Sequence, residues 1–207
     1  MRIKYRLIAA LCLVSAPLYA HTGGHIDHSV ISGLLHPLTG IDHVLVLIAV
    51  GLIAAKQGGK ALFAFPAVFL ALMAAGALLS AVEVHIPFVE SGIALSLIAF
   101  GLLVGGVGWV SDSVTQHVWL RCVGLRLMPM PSYAVFFCVS FFAVFHGYAH
   151  ASEMPGEGAA LYFSALMLMS LAICLGGCVL GLRSGRGVDY LFSLISLSSG
   201  WYYLAAA

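Results

Sequence analysis

Residues 61–81, ALFAFPAVFLALMAAGALLSA, contain no charged side chain, and this stretch decides the class of fold. A helix that crosses the hydrocarbon core of a membrane needs about 20 such apolar residues. The whole chain has this character, because 62% of its 207 residues are apolar, 8% are charged and the mean hydropathy is +1.07. Soluble domains carry about 25% charged residues. The composition therefore excludes a soluble enzyme, a disordered chain and a nucleic-acid-binding protein with its basic patch.

Five further apolar runs have a similar length, so the sequence predicts an all-α integral membrane protein with six transmembrane helices. The predicted spans cover residues 34–55, 60–81, 88–110, 131–150, 158–181 and 187–206. Each must be helical, because lipid satisfies no backbone N–H or C=O group. Residues 111–131, which include Arg121 and Arg126, are predicted to be a connector on the membrane surface. A short extra span there is the alternative, and it would invert every later helix.

A cleavable signal peptide is predicted over residues 1–20. Three basic residues among the first six precede eight apolar residues, Leu7 to Val14, which are too few to span a membrane stably. Cleavage after Ala20 would leave a His-rich periplasmic segment over residues 21–33, followed by a six-helix membrane domain over residues 34–207. An uncleaved signal anchor is the alternative.

The charges orient the predicted spans. If the mature chain starts outside, its six basic residues all fall on the cytoplasmic side, as the positive-inside rule requires. They are Lys56, Lys60, Arg121, Arg126, Arg183 and Arg186. The outer side receives six of the eight acidic residues and eight of the nine histidines. They are Asp27, Asp42, Glu83, Glu90, Glu153, Glu157, His21, His25, His28, His36, His43, His85, His146 and His150. Such an outer surface is suited to collecting a divalent cation.

Two motifs carry candidate ligands. The first, HPLTGIDH over residues 36–43, opens the first span, and Pro37 suits the first turn of its helix. His36 and His43 are seven residues apart and are expected on one face of that helix. Asp42 adjoins His43, and an ionisable residue inside a span usually faces a cavity or a partner. A carboxylate beside an imidazole is an arrangement that metal sites use.

The second motif, FHGYAHASE over residues 145–153, ends the fourth span. His146 and His150 are four residues apart on one helical face, and Glu153 continues their stripe if the helix continues. The sequence therefore predicts a metal site on the outer side, between the first and fourth spans. Its predicted ligands are His36, Asp42, His43, His146, His150 and Glu153. Hydrogen bonds that merely join the helices are the alternative role for these side chains.

The two motifs and the predicted layout resemble the HupE/UreJ family of metal permeases over essentially the whole mature chain. The resemblance implies uptake of Ni²⁺, with Co²⁺ as a close possibility, to supply hydrogenase or urease, and it implies the same six motif positions. Ala151 stands where glycine is expected. The first motif is also similar to the His-x4-Asp-His signature of a separate nickel–cobalt transporter family. Five residues separate His36 from Asp42 here, so that family's residues are not carried over.

Three histidines near the predicted mature N-terminus are weaker candidate ligands. His21, His25 and His28 could form a metal-collecting arm together with the free amine, or belong to a polar leader segment.

The ligand types do not distinguish Ni²⁺ from Co²⁺, Cu²⁺ or Zn²⁺. No prosthetic group is predicted. No nucleotide-binding loop is predicted either, since residues 58–61, GGKA, lack the required hydroxyl and spacing. The motifs leave the oligomeric state open.

An intramembrane metal-dependent hydrolase is the main alternative function, and a metal sensor or chaperone without a permeation path is a further one. Such an enzyme would also use clustered His and Asp side chains, with a metal-bound water as its nucleophile. The motifs supply no clear additional base or oxyanion donor, and an acidic outer surface favours cations over anionic lipids. The sequence therefore favours a transporter that is not an enzyme.

We expect the mature protein to begin at His21. The intact mass of the protein purified from bacterial membranes should correspond to residues 21–207, and N-terminal sequencing should begin His-Thr-Gly-Gly. A mass that includes residues 1–20 would establish the signal anchor instead.

Overall fold

A computed structural model describes residues 30–106, 132–154 and 158–206, and within these ranges the secondary structure is entirely α-helical. The predicted all-α class is confirmed for this part of the chain. We number the seven helices in chain order. They are α1 (Val30–Thr39), α2 (Ile41–Gln57), α3 (Ala61–Ala81), α4 (Val89–Val104), α5 (Ser132–Ser152), α6 (Ala159–Arg183) and α7 (Arg186–Ala206).

The first predicted span is not one helix. Residues 34–55 belong to two helices, α1 and α2, which meet at Gly40 with a bend of 83°. Pro37 lies inside α1 near its end, so the expectation that it occupies a first turn is wrong. The expectation that His36 and His43 share one helical face is also wrong, because the bend places them on two different helices. Gly40 has φ −96° and ψ 120°, an extended conformation that ends α1 and precedes α2.

Three of the helices have the length and composition of membrane spans by themselves. They are α3, α5 and α6, and the bent pair α1–α2 makes a fourth candidate. Helix α4 is apolar but has 16 residues. The predicted signal peptide, most of the His-rich segment and the connector over residues 111–131 lie outside the described residues.

Helices α2 to α7 form three closely packed pairs. In the pair α2–α6, a Cβ on Gly51 would overlap the carbonyl oxygen of Cys174. In the pair α3–α5, a Cβ on Gly147 would overlap the carbonyl oxygen of Met73. In the pair α4–α7, a Cβ on Gly200 would come within 2.9 Å of the oxygen of Ala94. Glycine thus allows backbone-to-backbone contact in every pair, as small residues do between membrane helices.

Helices of the pairs α2–α6 and α3–α5 run parallel, whereas α4 and α7 run antiparallel. Near the start of both α3 and α5, the Phe65 and Phe136 rings lie 5.3 Å apart, and Gly76 meets Val144 further along. In the antiparallel pair, Gly101 approaches Ser193 while Gly200 approaches Ala94. Helix α2 contacts each of the other six described helices. The core therefore lies around α2.

Charged residues separate the two ends of the bundle. One end carries the described basic residues Lys56, Lys60, Arg183 and Arg186, all at or beside helix termini. There Lys56 Nζ donates a hydrogen bond of 2.6 Å to Asp189 Oδ2, which ties α2 to α7. The opposite end carries both histidine motifs, where α2 begins and α5 ends.

The contact between α2 and α6 predicts a stability effect. Gly51→Val would push two backbones apart, and overpacking of this kind costs about 1–3 kcal/mol. We expect the thermal unfolding midpoint in detergent to fall by about 5–10 °C. Gly176→Val is the matched control, because Gly176 also lies within a helix but has nothing within 4 Å of its Cβ position. Equal midpoints for the two variants would contradict this account of the packing.

Candidate metal site

The bend at Gly40 brings the two ends of the first motif together. Helix α1 lies against α6, where Gly33 fits so closely that a Cβ would overlap the carbonyl oxygen of Tyr162. One turn later, the His36 ring lies 5.6 Å from the Tyr162 ring and 6.2 Å from the His43 ring, measured between centroids. The bend thus returns His36 to the start of α2, which a continuous helix would not do.

The second motif approaches from α5. His146 and His150 lie in the last two turns of that helix and are 1% and 2% exposed. The contact of Gly147 with the α3 backbone fixes the position of this end of α5. The helix ends at Ser152, so Glu153 lies in the following turn and does not continue the helical stripe.

All six predicted ligands meet at this end of the bundle, and we call them the outer cluster after the side of the membrane on which the sequence predicts them. The His43 and His150 ring centroids lie 4.2 Å apart, and those of His43 and His146 lie 5.6 Å apart. His36 Nε2 is 3.1 Å from His150 Nδ1 and 3.6 Å from Glu153 Oε2. The outer cluster consists of His36, Asp42, His43, His146, His150 and Glu153. Its binding of a metal stays a prediction.

Asp42 and His43 form a hydrogen-bonded pair within the outer cluster. Asp42 is 8% exposed, and its Oδ1 lies 3.1 Å from His43 Nδ1. An ionised carboxylate can only accept, so His43 Nδ1–H donates, and in the neutral imidazole Nε2 then holds the lone pair. Among the described residues, the buried His43 Nε2 has no hydrogen-bond partner. A carboxylate that orients an imidazole in this way leaves its other nitrogen ready for a metal ion.

Gly40 is required here for space. Its backbone conformation is open to any residue, but a Cβ would lie 2.5 Å from His43 Nδ1 and 2.8 Å from Asp42 Oδ1. A side chain at position 40 would therefore press on both atoms of the Asp42–His43 hydrogen bond. Gly40 therefore leaves room for the Asp42–His43 hydrogen bond and also lies at the bend between α1 and α2.

A narrow cavity adjoins the imidazoles on the side facing the bundle interior. Its lining is formed by His43, Val46, Leu47, Phe69, Met73, His146 and His150. The four residues other than histidine are apolar and come from α2 and α3. The outer cluster is thus separated from the interior of the bundle by hydrocarbon and an aromatic ring.

One polar neighbour of the outer cluster could not be identified from the sequence. Ser96, in the middle of α4, is fully buried, and its Oγ lies 3.0 Å from His146 Nε2. A single serine within an apolar run is common, so only the packing of α4 against α5 identifies it.

The imidazoles of the outer cluster contact one another in this conformation. Within residues 30–106, 132–154 and 158–206, no three His, Cys, Asp or Glu side chains are placed to hold one ion together. The weaker candidates His21, His25 and His28 lie outside these ranges. His85 is exposed in the loop between α3 and α4. Cys174 and Cys178 are buried in α6, where α6 packs against α2.

Comparison with known proteins agrees with the resemblance carried by the two motifs. The family model described as HupE / UreJ protein matches residues 9–201. Protein HupE of Rhizobium leguminosarum bv. viciae is 34% identical over 181 residues, which cover 86% of this chain and 83% of that protein. No solved structure matches. The family match spans nearly all of the described helices, and this chain therefore belongs to the HupE/UreJ family.

Proposed function

We propose that this protein carries divalent transition metal ions, chiefly Ni²⁺, inward across the bacterial inner membrane to supply hydrogenase or urease maturation. The observation that carries the proposal is the buried His43 Nε2, which has no hydrogen-bond partner among the described residues and lies amid three further imidazoles and two carboxylates. Burial of a polar atom without a hydrogen bond is costly. A metal ion is a partner that would offset this cost.

The donor set fits a borderline transition metal. Imidazole suits Ni²⁺, Co²⁺, Cu²⁺ and Zn²⁺, whereas a Cu⁺ site would favour thiolate or thioether ligands. Of the described cysteines, Cys174 and Cys178 lie in α6 at its contact with α2, and Cys138 lies in α5, eight residues before His146. The choice of Ni²⁺, with Co²⁺ as the nearest competitor, follows from family membership rather than from ligand type.

Binding requires the imidazoles to turn. His36 Nε2 and His150 Nδ1 are joined by a 3.1 Å hydrogen bond, and the same lone pair cannot serve a proton and a metal ion at once. Bonds from imidazole nitrogen to such a metal are about 2.0–2.1 Å long, as measured for zinc. The ion would replace contacts between histidines with bonds to itself.

Six spans with the outer cluster facing the periplasm agree with the helix directions. Threading the chain six times makes α2 and α6 parallel, α3 and α5 parallel, and α4 antiparallel to α7, and these are the observed directions. The basic residues at the opposite end would then face the cytoplasm. Under this proposal residues 1–20 are a signal peptide and the mature N-terminus is periplasmic.

The membrane potential is a sufficient energy source. An inward-moving divalent ion gains about 4.6 kcal/mol per 100 mV, twice the value for a single charge. At about 1.4 kcal/mol per tenfold ratio, this supports roughly thousandfold accumulation. A coupled proton is compatible with the proposal but not required by it.

Uptake of ⁶³Ni²⁺ by cells lacking their own nickel importers tests the proposal. We expect the wild-type protein to accumulate nickel, with Co²⁺ as the strongest competitor. His43→Ala and His146→Ala should each lower uptake by about tenfold or more, because each removes a nitrogen from the site. His85→Ala is the matched control, since it removes an exposed loop imidazole.

Two outcomes would contradict the proposal. Absence of uptake by a correctly inserted wild-type protein would exclude nickel import, and metal binding without uptake would favour the hydrolase alternative. Equal losses in the His85→Ala and His43→Ala variants would show that the outer cluster has no special part in uptake.

The space requirement at Gly40 gives a second prediction. Gly40→Ala should fold, because its φ and ψ suit alanine, but its Cβ would disturb the Asp42–His43 hydrogen bond. We expect nickel uptake to fall by about tenfold, with the unfolding midpoint nearly unchanged. Gly185→Ala is the control, because nothing lies within 4 Å of its Cβ position. Full uptake by Gly40→Ala would show that the pair does not need this geometry.

A further inference from the structure

Ser96 makes two hydrogen bonds that together determine where protons lie in the outer cluster. Its Oγ is 2.6 Å from the carbonyl oxygen of Ile93 and 3.0 Å from His146 Nε2. Both Ser96 and His146 are almost completely buried, at 0% and 1% exposed. These two contacts therefore act without competition from bulk water.

The direction of each hydrogen bond follows from the donors available. A carbonyl oxygen can only accept, so the single hydroxyl proton of Ser96 points to Ile93. The Ser96 oxygen then has only lone pairs left to offer His146. Nε2 of His146 must carry the proton that it donates to Ser96, since two facing lone pairs would repel at 3.0 Å.

A neutral imidazole has one proton, so a protonated Nε2 leaves the lone pair of His146 on Nδ1. Asp42 exerts the complementary constraint on His43, where Nδ1 carries the proton and Nε2 the lone pair. The two central histidines are thus held in opposite tautomers by partners on different helices. His43 and His146 both line the cavity, with their ring centroids 5.6 Å apart.

We propose that Ser96 is a positioning residue that holds His146 in its Nε2-protonated form, so that Nδ1 binds the transported cation. The inference rests on the proposed function for the identity of the cargo, but the tautomer itself does not depend on transport. Through the Ser96 hydroxyl, the helix pair α4–α7 also takes part in the site. A hydroxyl that accepts a hydrogen bond orients a neutral imidazole and adds no charge to the buried site.

The tautomer can be measured directly. ¹⁵N-histidine-labelled protein in lipid bilayers, prepared without metal, should show His146 as the Nε2-protonated form in solid-state NMR, with its signals assigned by comparison with His146→Gln. Ser96→Ala should convert His146 to a mixture of tautomers, and Ser96→Thr should retain the wild-type form because it keeps the hydroxyl. An Nδ1-protonated His146 in the wild-type protein, or an unchanged tautomer in Ser96→Ala, would overturn the proposal.

Transport kinetics provide the functional readout. Loss of a partner that orients a metal-binding histidine typically lowers metal affinity about 10–100-fold. Ser96→Ala should therefore raise the KM for nickel uptake about tenfold or more at equal protein levels, and Ser96→Thr should restore it. Ser170→Ala is the matched control, because Ser170 is equally buried and its hydroxyl has no hydrogen-bond partner among the described residues.

The two proposals fail in different ways. A wild-type protein that imports no nickel but shows the Ser96-dependent tautomer would overturn the transport function and leave the proton assignment standing. A wild-type protein that imports nickel, with unchanged KM in Ser96→Ala, would overturn the role of Ser96 and leave the transport function standing. A rise in KM that Ser170→Ala reproduces would also count against Ser96, because it would reflect loss of a buried serine in general.

Discussion

The hydrogen bond between Asp42 and His43 is the interaction on which the histidine-bearing end of the bundle depends. An unpaired carboxylate buried among apolar helices costs several kcal/mol, so Asp42 is tolerable only with a donor beside it. His43 supplies that donor, and the lack of a side chain at Gly40 leaves room for both groups. The same pair leaves His43 Nε2 buried and without a hydrogen-bond partner among the described residues.

Most helix boundaries could be predicted, because a chain with few charged residues leaves few positions where a span can begin or end. Five of the predicted spans start within one residue of a helix in the structure, and the third ends earlier, at Val104. The run lengths carry this information, since a membrane needs about 20 apolar residues per crossing. The break in the first span was missed, because Pro37 is compatible with the first turn of a helix as well as with its observed place near the end of α1. The contact of α1 with α6 decides which of these two places Pro37 takes. That contact joins residues far apart in the sequence.

The composition of the outer cluster was predictable, but its internal contacts were not. Spacing placed His146 and His150 on one face of a helix, and the structure agrees. Contacts such as that of His36 with His150 depend on where helices cross, which is fixed by glycines that meet another backbone. Ser96 shows the limit of prediction from sequence most clearly. Its role comes from its contact with His146, and nothing in the residues around Ser96 indicates that contact.

The glycine contacts also divide the bundle mechanically. Because backbone touches backbone inside each of α2–α6, α3–α5 and α4–α7, each pair has little freedom to slide and behaves as one stiff body. His43, His146 and Ser96 belong to three different bodies, so the outer cluster lies at the joint where all three meet. Any rearrangement that opens a path through the protein must change the spacing between these side chains. Under the proposed function, the cation-binding side chains would themselves lie at this joint, and release of an ion would need no separate relay from a distant hinge.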